Sequence, residues 1–288
     1  MRDQAESLRR MVDGVMEQGR GQGKVIAVVS GKGGVGKSNV SLNFALTLSR
    51  QNQKVALIDL DLGMGNLDIL MGLSPSYHII DMIKRELTIW DIAEQGPEGI
   101  TYIAGGSGLS ELVELNERQM ERFFQQLESL GAIYDYIILD MGAGATAESL
   151  RFILSAHEIF VVTTPEPTSI TDAYAMVKYI CKEPIENPEI LLIVNRAESK
   201  REGEQTAANF KRVVSHFLKK DIHSLGYLPQ DSHVVKAVKA QAPFVLHAPQ
   251  AKASMAMGKL VHTYLGHRVD RGAPSYQSFM KKIRKWFR

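Results

Sequence analysis

Cysteine is almost missing from this chain: Cys181 stands alone in 288 residues. One thiol excludes an intrachain disulfide and any zinc or iron–sulfur site built from cysteine pairs within one chain, and it fits a reducing compartment. Long apolar runs are missing too, since no stretch approaches the ~18 residues that a membrane-spanning helix requires. The first twenty residues carry Arg2, Asp3, Glu6, Arg9, Arg10, Asp13 and Glu17, so they hold no apolar core for a signal peptide. The expected location is the cytosol. Net charge is small, 34 Lys+Arg against 32 Asp+Glu giving +2, but acid is absent from the last twelve residues. Lys281, Lys282, Arg284, Lys285 and Arg288 stand there, and setting those five aside takes +2 to −3 for the rest of the chain. A mildly acidic body opposes nucleic-acid coating, and no specific nucleic acid is expected as a partner.

What is present reads as one folded unit. The composition, 44% hydrophobic and 23% charged, is that of a soluble globular protein. Short, near-continuously apolar runs begin at Val25–Ser30 and recur at Val55–Asp59, Ile100–Ala104, Tyr136–Asp140, Ile159–Thr163, Ile190–Asn195 and Ile222–Leu228. Such runs suit strands covered on both faces. Amphipathic helical spacing fills the intervals at Asn39–Arg50, Glu117–Leu130, Thr168–Cys181 and Thr206–Leu218. Alternation of this kind predicts an α/β fold, a mostly parallel twisted sheet with helices on both faces. It spans about 24–268, preceded by an N-terminal segment over 1–23, polar and helical at Arg2–Gln18 with a Gly-rich joint at 19–23, and followed by a linker at 269–276 and a short helix at 277–288.

The first strand runs into Ser30-Gly31-Lys32-Gly33-Gly34-Val35-Gly36-Lys37-Ser38, with Asn39 continuing into a helix. This is a strand–loop–helix phosphate motif, whose glycines let backbone N–H groups face phosphate oxygens at a helix N-terminus. Lys37 is expected on the β- and γ-phosphates and the Ser38 hydroxyl on Mg²⁺. The second lysine, Lys32, makes the loop similar to the deviant Walker A motif of the MinD/ParA family of P-loop ATPases. The resemblance implies that Lys32 reaches across an ATP-bound homodimer to the facing subunit's nucleotide. The plainer alternative is one more cation near phosphate.

Further motifs follow in that family's order. Asp59-Leu60-Asp61 resembles its switch I, with Asp61 orienting the attacking water and Asp59 near the metal. Tyr136–Asp140 resembles Walker B, with Asp140 holding Mg²⁺. Gly142 departs from the proline that many members carry in switch II. Val194-Asn195-Arg196 and Leu228-Pro229-Gln230-Asp231 resemble the two base-binding loops, so Asn195, Arg196, Pro229 and Asp231 are candidate adenine contacts. Taken alone, Asn195 reads as a strand-end turn residue. No guanine signature occurs, which favours ATP.

The two ends carry their own patterns. Phe279, Met280, Ile283, Trp286 and Phe287 fall on one helical face among five cations. A basic amphipathic helix with aromatic residues is an interfacial membrane element, marginal singly and strengthened by two copies in a dimer. The competing reading docks this helix on the body's own core. At the other end, Asp3-Gln4-Ala5-Glu6-Ser7-Leu8-Arg9 is similar to the DQAxxLR motif of the family's flagellar branch, the FlhG/YlxH/FleN proteins. The resemblance implies that Asp3, Gln4, Ala5, Leu8 and Arg9 dock on the GTPase FlhF and stimulate it, and that flagellar switch-complex proteins are partners. The implied whole is a Mg²⁺-dependent, dimerising ATPase, peripheral on the inner face of the cell membrane. A ParA-type DNA-partition ATPase and a non-catalytic ATP-sensing scaffold are the alternatives.

Overall fold

Lys24–Val29 (β1) is buried along its whole length, and its side chains divide between two cores. Val25, Ala27 and Val29 enter one, while Ile26 and Val28 enter the other. That division is the period-2 signature of a strand with helices on both faces. The computed structural model describes residues 23–61, 65–106, 115–183, 188–267 and 275–287. After β1 come α1 (Lys37–Ser49), β2 (Val55–Leu60), α2 (Leu67–Met71), α3 (Ile79–Lys84), α4 (Ile89–Ile92), β3 (Ala93–Gln95), β4 (Thr101–Ile103) and α5 (Glu117–Gly131). The chain continues through β5 (Tyr136–Met141), α6 (Ala147–Ser155), β6 (Glu158–Thr163), α7 (Pro167–Lys182), β7 (Glu189–Ala197), α8 (Lys200–Leu218) and β8 (His223–Pro229). It closes with α9 (Ser232–Lys239), α10 (Phe244–His247), α11 (Lys252–His267) and α12 (Tyr276–Trp286).

The eight strands form one sheet in the order β3-β4-β2-β5-β1-β6-β7-β8. All neighbours are parallel except β3 and β4. From β1 the chain first builds leftward through β2 and β4, then returns to add β6 to β8 on the right. Reversal of direction at β1 opens a crevice at the carboxyl ends of the strands, the usual ligand position in such sheets. Helices α1, α10 and α11 cover one face, and α5 to α8 cover the other.

The predicted α/β sandwich is therefore present. Residues 67–95 depart from the prediction, which had no element there. The helices α3 and α4 are too short for periodicity to reveal and depend on local capping: His78 with Asp81, and Thr88 with Asp91. The edge strand β3 is three residues long.

The C-terminal helix also differs from expectation. It begins at Tyr276, with Ser275 as its N-cap, inside the stretch expected as linker. Its apolar stripe does not face solvent. Phe279, Met280 and Ile283 are buried, while Trp286 and Phe287 pack half-buried against the same core. The ring of Phe287 lies between Phe124 of α5 and Phe152 of α6, with the Arg151 guanidinium over it. Arg284 pairs with Glu121 and Glu128 at 2.7 and 3.1 Å. The reason is complementarity: an apolar groove with an acidic rim takes a basic amphipathic helix.

Candidate nucleotide site

The loop from Ser30 to Gly36 leaves the carboxyl end of β1 and enters α1. Gly31 is obligatory because a Cβ there would lie 2.0 Å from the Asp172 backbone in α7. Gly36 adopts φ +90°, and a Cβ would meet Asn195 Nδ2 at 2.4 Å. Helix α1 starts without a capping side chain and without an acid in its first turn. Its orphan N–H groups and positive dipole end face the crevice, as an anion site requires. Gly33 and Gly34 are exposed on the loop's outer side, and Val35 anchors it from beneath. Gly144 N donates to Ser30 O at 3.1 Å, tying the segment after β5 to this loop.

Behind the loop, Lys37 is buried and reaches Asp140 Oδ1 at 2.9 Å and Asp61 Oδ2 at 4.0 Å. It also donates to Ser38 Oγ at 3.3 Å. Ser41, one turn along α1, donates to the same Asp140 oxygen at 2.6 Å. The other oxygen, Asp140 Oδ2, is buried with no hydrogen-bond partner. In the β2–β5 register Asp59 lies directly beside Asp140. Burial first, then the Asp140 charge, push Asp59 up to about 7, while the Asp61 N–H donates to its Oδ1 at 2.9 Å. Two neighbouring carboxylates, one raised and one with an orphan oxygen, call for a cation. No group of three or more His, Cys, Asp or Glu among the described residues could hold a metal alone. Mg²⁺ suits this donor set, because it commonly takes one or two carboxylates and completes its shell with phosphate and water. Ser38, Asp59 and Asp140 are the side chains that fit it.

Lys32 turns away from this cluster. Its ammonium donates to Glu166 Oε2 and Thr168 Oγ1, both at 2.9 Å, and those bonds hold the Glu166 carboxyl below its usual range. Lys32 and Glu166, together with Gly33, Gly34, Val35, Thr164 and Arg196, line a cleft of about 120 Å³. Thr164 Oγ1 is buried there without a partner.

Residues 22–265 match the ParA family, described as NUBPL iron-transfer P-loop NTPase. The chain belongs to the ParA/MinD family of P-loop NTPases. Antiactivator FleN of Pseudomonas aeruginosa is 36% identical over 81% of this chain and 83% of its own length. Flagellum site-determining protein YlxH of Helicobacter pylori is 31% identical over 93% and 92%. Among solved structures, septum site-determining protein MinD of Pyrococcus horikoshii, complexed with Mg-ADP, superposes with TM-score 0.68 at 25% identity, covering 86% and 99% of the two chains. As a member of this ATPase family the chain binds nucleotide.

Two of the residues expected at the base, Asn195 and Asp231, bond to the chain's own backbone. Asn195 Nδ2 donates to Val35 O at 2.8 Å, and its Oδ1 accepts from Arg196 N at 3.0 Å. Asn195 therefore braces the phosphate loop, and Arg196 sits at φ +57° beside it. Asp231 caps α9 through His233 N at 2.9 Å and accepts from Ala253 N at 3.0 Å. Burial pushes its carboxyl up, but these bonds outweigh it and hold the group low. Pro229 ends β8 above them. Three contributors escaped the sequence reading: Ser41, Thr164 and Glu166. Ser41 was accessible, four residues beyond Lys37 on one helix face, whereas the other two depend on how β6 lies beside β1. The segment Asp3, Gln4, Ala5, Leu8 and Arg9 lies outside the described residues.

Proposed function

We propose that this chain is an ATP-dependent switch ATPase that regulates flagellar number or placement. The observation that carries the reading is the unpartnered Asp140 oxygen beside Lys37, at the mouth of a helix N-terminus left free of acid. A triphosphate would lie along residues 31–39, with its negative charge on the α1 amides and Lys37. Mg²⁺ would be held by Ser38 and Asp140 with Asp59 beside them, and would neutralise charge that develops on the phosphates. Asp61, half-exposed at the crevice edge, would orient water toward the terminal phosphate. Asn195, Arg196, Pro229 and Asp231 frame the base side, Asn195 by holding the loop.

Lys32 would cross to the nucleotide of a second copy. Its present bonds to Glu166 and Thr168 are solvent-exposed, so they hold it weakly and a phosphate can draw it away. The printed names of FleN and YlxH support the flagellar reading. The N-terminal Asp3–Arg9 segment would stimulate the GTPase FlhF, and flagellar switch proteins would be further partners. The docked α12 is read as the resting position of a membrane tail. ATP-driven dimerisation would release two such helices onto an anionic surface, each contributing about 1 kcal/mol per basic residue near the lipid. Among the described residues no helix is long or apolar enough to cross a membrane, so association would be peripheral and reversible. Residues 24–268 would act as the ATPase domain, 1–23 as the activator and the terminal helix as the anchor.

The test is phosphate release with Mg²⁺, read together with flotation on anionic vesicles. The wild-type chain should turn over ATP and float with ATP rather than ADP. Asp61→Ala should bind ATP, lose turnover and float more; unchanged turnover would refute the role of Asp61.

A further inference from the structure

The groove that holds α12 lies at the point where the chain enters the sheet. A Cβ on Gly23 would lie 3.3 Å from Gly131 Cα, and a Cβ on Gly131 would lie 2.0 Å from the Tyr276 ring. His157 joins the same corner, accepting from Val25 N at 2.9 Å while its other nitrogen lies 2.9 Å from Ser278 Oγ. Gly23, the first of the described residues, therefore lies at the Tyr276 end of the groove. The four side chains buried there are Tyr276, Phe279, Met280 and Ile283, at intervals 0, 3, 4 and 7. In the N-terminal segment Leu8, Met11, Val12 and Val15 carry the same intervals. That pattern reads identically in either helix direction, so an N-terminal helix can enter antiparallel to α12, with Val15 at the Tyr276 position and Leu8 at the Ile283 position. Arg9 and Arg10 then come to the end where Glu121 and Glu128 now hold Arg284. Residues 16–22 make the connection, and at about 3.3–3.6 Å each they exceed what it requires.

We propose that the groove between α5 and α6 is a shared dock, and that residues 8–15 of the same chain occupy it when α12 leaves. This rests on the proposed release of the tail. A docked tail leaves the N-terminal segment available to a partner protein, and a departed tail withdraws it. Occupation also shields the groove's apolar lining, Phe124, Leu127 and Phe152, which would otherwise be an exposed patch. The two ends of the chain thus take turns.

Amide hydrogen exchange of residues 8–16 in the full chain tests this without lipid or nucleotide. Phe279→Asp combined with Ile283→Asp expels the tail and should slow exchange at 8–16 roughly tenfold, equivalent to about 1.4 kcal/mol of docking. Adding Leu8→Asp and Val12→Asp should restore fast exchange. Arg284→Glu, which removes the pairs to Glu121 and Glu128 and leaves the four buried side chains in place, should give a smaller slowing with faster exchange over 276–286. Exchange at 8–16 that stays fast in both tail variants overturns the proposal. Slowing that disappears on dilution also overturns it, because the occupant is then a second copy. Failure of the wild-type chain to float on vesicles would refute the membrane reading and leave this exchange result standing.

Discussion

At the carboxyl ends of the strands polar groups are left waiting, whereas at the opposite ends they are paired. Around the phosphate loop, Asp140 Oδ2 and Thr164 Oγ1 are buried without partners, and Asp59 is pushed up to about 7. At the other edge of the same sheet, Lys24 pairs with Glu158, whose second oxygen accepts from Tyr264. Tyr276 donates to Leu127 O, His157 engages both β1 and α12, and Arg284 bridges two acids. Buried polar groups are costly unless satisfied. The carboxyl ends keep polar groups where a ligand can use them, and the opposite ends spend theirs on the chain's own packing.

Removing one member from the satisfied edge should have the largest effect on stability. Glu158→Ala removes the buried carboxylate that Lys24 and Tyr264 share, a loss of about 3–5 kcal/mol; at about 2–4 °C per kcal/mol for a chain of this size, calorimetry should show a clear fall in Tm with nucleotide affinity kept. At the waiting edge the balance reverses. Lys37→Ala should weaken ATP binding by roughly 10–100-fold, the value of a charge-assisted hydrogen bond of about 1.5–3 kcal/mol, measured by fluorescent-nucleotide titration.

Protonation sharpens the same contrast. The folded chain raises Asp59 from 3.8 to about 7, so it holds a proton that the unfolded chain has released. That contribution is full below pH ~4 and is lost as pH rises toward 7, at about 1.4 kcal/mol per pKa unit. Tm of the nucleotide-free chain should therefore fall across that window, and Asp59→Asn should flatten the curve. Smaller still is Gly131→Ala, whose added methyl would collide with Tyr276; it should speed amide exchange across α12 with ATP turnover unchanged.

Much of the fold could be read in advance because β1, β2, β5, β6 and β7 are near-continuous apolar runs, and because the phosphate loop is a local motif. Asp59 and Asp140 were readable as strand-end acids. Their side-by-side register was not, since strand order is a non-local property. Residues 67–95 were missed because elements of three to six residues carry too few turns for periodicity. The tail's composition was right for an amphipathic helix, but composition is silent on which apolar surface receives it. The groove is assembled from α5, α6 and β1, far apart in sequence. Asn195 and Asp231 show the same limit: their bonds to the backbone of Val35, Arg196, His233 and Ala253 could not be read from the short motifs that contain them.

The waiting edge is held here to be half of a site that ATP completes by joining two copies. Light scattering on the intact 32.0 kDa chain with Mg²⁺, comparing ADP, ATP and ATP with Asp61→Ala, tests this most directly. Monomer mass is expected with ADP, a doubling with ATP, and a persistent doubled mass in the variant. A mass that stays at the monomer value under all three conditions would contradict it.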